Sequence, residues 1–125
     1  MRVLIVLLAL LVCVGVTWAQ TVAPIWVTGA VITNPSANQV LVQKSGLSQG
    51  NWHVAAYVYS DVGVATILRH SRNGTVVESF VIPPSAKFIM VQAPAPLFML
   101  ATDTVDVISR GTVTAEVQVV LFFQQ

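Results

Sequence analysis

Apolar and polar residues alternate most regularly at the carboxyl end of the chain. From Thr112 to Phe123 (TVTAEVQVVLFF), Val113, Ala115, Val117, Val119, Leu121 and Phe123 fall on one side, and Thr114, Glu116 and Gln118 on the other. A period of two is that of a β-strand with one buried face, so the first set is expected to line the core. Val120 and Phe122 interrupt the polar side near its end. They leave an apolar tip facing outward, a candidate subunit contact.

A second alternation runs from Trp52 to Ser60 (WHVAAYVYS). Trp52, Val54, Ala56 and Val58 share one side, and His53, Ala55, Tyr57 and Tyr59 the other. Both sides are largely apolar, which predicts a central strand. Between Val64 and Ile82 (VATILRHSRNGTVVESFVI), Asn73-Gly74 separates two runs rich in β-branched and aromatic residues. Both residues tolerate positive φ, so the pair predicts a type I′ hairpin. A plain two-residue loop would set Arg72 against Thr75, His70 against Val77, Arg69 against Glu78 and Ile67 against Phe80, with an ion pair and an apolar pair on one face.

The remaining punctuation fits short strands. Gln20 to Pro24 reads as an extended lead-in, and Ile25 to Thr33 as a strand with a bulge at Gly29. Asn34 to Asn38 is a turn around Pro35. Gln39 to Gln43, Lys87 to Gln92, Leu97 to Ala101 and Thr104 to Ser109 are further strand candidates, divided by glycine and proline. No helix is expected after the first twenty residues. About eight strands of this spacing predict an all-β, two-sheet antiparallel sandwich of the jelly-roll kind, with an immunoglobulin-like sandwich as the alternative.

The chain opens differently. Met1-Arg2 precedes fourteen apolar or small residues, Val3 to Val16, and then Thr17-Trp18-Ala19-Gln20. A basic start, a short apolar run and a small residue before a polar one describe a secretory signal peptide cut after Ala19. Residues 1–19 are therefore assigned as signal peptide and 20–125 as one sandwich domain. The alternative is an uncleaved membrane anchor, since the run through Ala19 is close to the roughly 17 residues of the shortest spanning helices. Localisation follows: exported, extracellular or on a virion surface if residues 1–19 are removed, membrane-anchored if they are kept.

Composition narrows the function. Of 125 residues, 55% are hydrophobic and 9% charged. The six Lys and Arg, less Arg2, leave Lys44, Arg69, Arg72, Lys87 and Arg110 against Asp61, Glu78, Asp103, Asp106 and Glu116, a balance of zero. Scattered and neutral, these charges speak against nucleic-acid binding, which needs a basic patch. So weakly charged a surface favours association with copies of the chain. The mature domain has no cysteine and no disulfide to brace it.

Chemistry-bearing residues are sparse. His53 and His70 have no second ligand at alternate-strand spacing, so no metal site is expected. Asp103 and Asp106, three apart, point to opposite faces if both lie in a strand, and would converge on calcium only if Asp103 lay in a turn. No nucleophile elbow is present and no enzymatic activity or cofactor is expected. His53, Tyr57 and Tyr59 share a face and form a possible ligand platform for sugar stacking, beside Trp26 and Trp52. Asn73-Gly74-Thr75 matches a glycosylation acceptor, although the turn already accounts for those residues.

Taken together, Gly50-Asn51-Trp52-His53-Val54, Leu68-Arg69-His70, Asn73-Gly74-Thr75, Phe80-Val81-Ile82-Pro83 and the closing Thr114-Ala115-Glu116-Val117-Gln118-Val119 resemble small jelly-roll virion proteins of tailed bacteriophages. The resemblance spans most of residues 46 to 120. It implies a capsid-decorating or tail-associated protein that packs with itself, as a homotrimer by analogy, and with other structural proteins. Proteins of that kind usually carry no leader, so the apolar start points either to export for another purpose or to a helix retained in an assembly or a membrane. The alternative from a different class is a secreted sandwich that binds a glycan through surface aromatics.

Overall fold

The computed structural model describes residues 23–84 and 87–125. The signal or anchor assignment for residues 1–19 lies outside them. Ten strands form two antiparallel sheets, and no helix occurs among the described residues. The strands are β1 (Ile25–Thr28), β2 (Ile32–Thr33), β3 (Val40–Ser45), β4 (Gly50–Ser60), β5 (Thr66–Arg72), β6 (Thr75–Ile82), β7 (Lys87–Gln92), β8 (Leu97–Met99), β9 (Thr104–Ser109) and β10 (Glu116–Gln124). The six-stranded sheet has the order β1-β10-β4-β7, with β2 beside β10 and β8 beside β4. The four-stranded sheet has the order β3-β9-β5-β6.

The two alternating segments become the centre of the larger sheet. β4 pairs with β10 from Val117↔Ser60 to Gln124↔His53, and with β7 from Ala55↔Gln92 to Ser60↔Lys87. Trp52, Val54, Ala56 and Val58 are buried, as are Val117, Val119, Leu121 and Phe123. They meet Leu41, Val42, Leu68, Val105 and Val107 from the other sheet, with Leu97 and Met99 at one end. Trp52 is 1% exposed, and its indole N–H donates to the Ser48 carbonyl at 2.8 Å. This leaves the largest core side chain without a lost hydrogen bond.

Three expectations are corrected. First, β10 begins at Glu116, not Thr112. Val113 and Ala115 still make backbone bonds, Val113 N–H to Pro35 O and Asn34 N–H to Ala115 O. Pro35 has no N–H to return, so the ladder does not extend that far. Second, the predicted first strand divides into β1 and β2 around Gly29. A Cβ at Gly29 would lie 2.7 Å from Leu41 O and 2.8 Å from Val119 O, so glycine alone lets the backbone sit that close.

The third correction concerns the hairpin. Asn73 and Gly74 have φ of 52° and 79°, which is the predicted I′ turn, and Arg72 does face Thr75. Val77 is then extruded as a bulge. Beyond it His70 faces Glu78, Arg69 faces Ser79, Leu68 faces Phe80 and Ile67 faces Val81. The reason is burial. In a regular register Phe80 would join Ile67 on the outer side, carrying Ile82 with it. One extra residue turns Phe80 and Ile82 inward beside Leu68 and Thr66, and Ile82 becomes fully buried.

Candidate functional site

Opposite residues in an antiparallel pair share a face, so the registers define what the larger sheet shows to solvent. Trp26, Phe122, Ala55 and Gln92 form one row, and Thr28, Val120, Tyr57 and Met90 the next. Gln118, Tyr59 and Phe88 make a third, with Gln124 and His53 at the far end. Both of the sequence-derived sets, Val120 with Phe122 and His53 with Tyr57 and Tyr59, thus lie on one surface. Trp26, expected beside the ligand platform, joins them, and Phe88 and Met90, not singled out for this role from the sequence, complete it. Their strands carry no clean alternation, and only the pairing of β1 with β10 and of β7 with β4 brings them there.

The aromatic rings form a continuous band. Trp26 and Phe122 have centroids 4.5 Å apart, Trp26 and Tyr57 5.7 Å, Tyr57 and Phe88 6.1 Å, and Tyr59 and Phe88 5.0 Å. All lie within the range of favourable aromatic pairs. Trp26 is 58% exposed, Phe88 and Met90 47%, and Tyr59 44%. Tyr57 and Phe122 are half-buried beneath their neighbours. No Asp, Glu, Lys or Arg occurs in these rows. Four strands about 4.8 Å apart and six residues of strand length give a face of roughly 400 Å2. The largest apolar patch on a typical monomer is of this order and is often functional.

The charges lie elsewhere. On the outer side of the smaller sheet, Arg69 grips Asp106 with two bonds, Nε to Oδ1 at 2.8 Å and Nη2 to Oδ2 at 2.6 Å. The expected Arg69–Glu78 pair is thereby replaced by a pair with β9. At the end of the sandwich, the fully buried Asp103 accepts from Arg72 Nε at 3.0 Å and Nη2 at 2.9 Å, and from the Leu100 N–H at 3.0 Å. His70 Nε2 lies 2.8 Å from the same carboxylate, and its Nδ1 lies 3.4 Å from Glu78. The Arg72 guanidinium, with the Leu100 N–H and His70, holds the Asp103 carboxyl well below the usual carboxylate range, against the opposing effect of burial.

Asp103 and Asp106 do not converge. One points inward to the cluster with His70 and the other outward to Arg69, and each is committed to an arginine. No metal-holding group of His, Cys, Asp and Glu is found among the described residues. His53, far from His70 on the other sheet, is exposed. No helix among the described residues is long and apolar enough to cross a membrane.

No family model and no curated protein sequence matches the chain. Solved structures do share its fold. The globular domain of zebrafish complement 1qA protein matches with a TM-score of 0.58 at 13% identity, over 80% of this chain and 94% of that one. The CBM36-1 domain of a multidomain xylanase from the hindgut metagenome of Trinervitermes trinervoides gives 0.55 at 9%, over 82% and 97%. Eiger TNF from S. frugiperda gives 0.51 at 11%, over 85% and 94%. At these identities the likeness is one of fold, and with the two antiparallel sheets it defines an all-β sandwich of the jelly-roll type.

Proposed function

We propose that this chain is a non-enzymatic assembly protein whose aromatic face packs against copies of itself, and that it serves as a structural component of a phage-type virion. The observation that carries the assembly role is the uncharged band from Trp26 through Phe122 and Tyr57 to Phe88. Buried between copies, it removes a large apolar surface from water with no charge to desolvate. The rows of the face itself hold no charge to select an oppositely charged partner, so a second copy with the same face is the fitting occupant. The virion role rests on the resemblance of residues 46 to 120 given above. Light scattering on the purified protein tests the assembly role. An oligomer that becomes monomeric on Phe122→Asp, with the fold retained, is the expected result; a monomeric parent protein overturns it.

A second reading is a binding module that stacks a glycan on surface aromatics. Tyr59, open at the end of the band, favours it, whereas Tyr57 is half-buried between neighbouring rings. The fold likeness does not separate the two readings. Membrane attachment through residues 1–19 is a separate question, answered by the intact mass of the native protein: a chain beginning at Gln20 excludes it.

A further inference from the structure

The charged residues next to the six-stranded sheet are only three among those described: Asp61 after β4, Lys87 at the start of β7 and Glu116 at the start of β10. The fold brings all three to one place. They line a cleft of about 410 Å3 where these strands meet, with Tyr59 as its aromatic wall and Val31 and Gln118 beside it. A volume of this order lies within the roughly 300–1,000 Å3 of small-molecule sites.

The side chains are arranged for use. None of the three charged groups engages another side chain among the described residues. Gln118 donates its amide N–H to the Gly29 carbonyl at 3.1 Å, which fixes the side chain and leaves its own oxygen as an acceptor. Lys87 has a φ of 72°, in the left-handed region that non-glycine residues adopt at some cost and that gathers at functional sites. An otherwise uncharged sheet thus collects its acceptors and its one ammonium around a single exposed ring.

We infer that this cleft binds a neutral pyranose at the end of a glycan. The C–H face of the sugar stacks on Tyr59, and its hydroxyls donate to Asp61, Glu116 and the Gln118 oxygen and accept from Lys87. Two carboxylates against one ammonium leave a formal charge of −1, which disfavours an acidic sugar. The inference rests on the binding reading and moves it from the flat band to the rim. It requires that a partner covering the band from Trp26 to Phe88 stop short of Tyr59, whose ring lies 5.0 Å from Phe88 at the rim.

The test is a printed array of neutral oligosaccharides ending in glucose, galactose, mannose or xylose, probed with the full chain, followed by titration of the bound sugar. Binding is expected to weaken at least tenfold in Asp61→Asn/Glu116→Gln and to be lost in Tyr59→Ala. All three positions are exposed, and unchanged thermal unfolding of each variant checks the fold. Absence of binding to every sugar overturns both the cleft and the glycan reading. Binding that survives Asp61→Asn/Glu116→Gln but is lost in Tyr57→Ala overturns the cleft and leaves the glycan reading on the flat band.

Discussion

The two sheets of this sandwich solve opposite problems with the same backbone. The four-stranded sheet carries paired charges: Arg69 with Asp106 on its outer side, and Arg72, His70 and Glu78 around Asp103 at its end. The six-stranded sheet carries aromatics on its outer side, and its few charges stand apart at one rim. Paired and buried charges fix local geometry, and removing one partner is costly. Exposed rings and methyls add little to the fold of a lone subunit and much to association. The contrast teaches where to look: both sheets share the apolar core, charge pairs brace the outer side and end of the smaller one, and the larger one carries the face proposed above for association.

The strongest way to break the comparison is at Asp103. Asp103→Ala leaves the buried His70 ring and the partly exposed Arg72 guanidinium without their acceptor, and should cost about 2–3 kcal/mol in urea unfolding. A loss below about 1 kcal/mol would show that the cluster does not brace the smaller sheet. On the larger sheet, Phe122→Asp removes a half-buried ring from beneath Trp26, so it should lower subunit stability by about 1 kcal/mol and weaken association by about 2 kcal/mol or more, roughly thirtyfold in Kd. Equal losses in stability and association would erase the division between the sheets. Arg69→Met keeps the aliphatic stem but strips Asp106 of its partner, and should lower stability by about 1–2 kcal/mol without changing oligomeric state.

The smallest effect is on pH dependence. Asp103 has a folded-state pKa below its unfolded value, so its stabilisation is complete above the unfolded carboxyl value of about 4. It is lost as pH falls from there toward the depressed folded value. Asp103→Asn should flatten this acid limb of the stability profile relative to the parent protein. An identical slope in both proteins would assign acid sensitivity to other carboxylates.

Much of the architecture was legible from residue order, and specific elements show why. β4 and β10 alternate cleanly because each buries one side, so their inward sets could be read directly. Asn73-Gly74 announced its turn because both residues must take positive φ. The hairpin register was not legible. Whether Val77 bulges depends on how Phe80 and Ile82 pack against the opposite sheet, which no local pattern records. The site was half legible. His53, Tyr57, Tyr59, Val120 and Phe122 were found by alternation, but as two separate sets with two separate roles. Phe88, and the contact of Trp26 with Phe122 that joins the two sets into one band, were beyond reach because strand neighbours in a sandwich are distant in sequence.

By itself, the order of residues determined the class of fold, the inward face of each long strand, the central turn and the neutrality of the domain. These depend on local periodicity and on totals, which need no coordinates. Tertiary structure alone decided that Arg69 pairs with Asp106 and not Glu78, that Asp103 turns inward to His70 and Arg72, and that Asp61, Lys87 and Glu116 meet beside Tyr59. Each of these contacts spans strands brought together by the pairing of sheets, and the energy that selects one pairing is spread over the whole core.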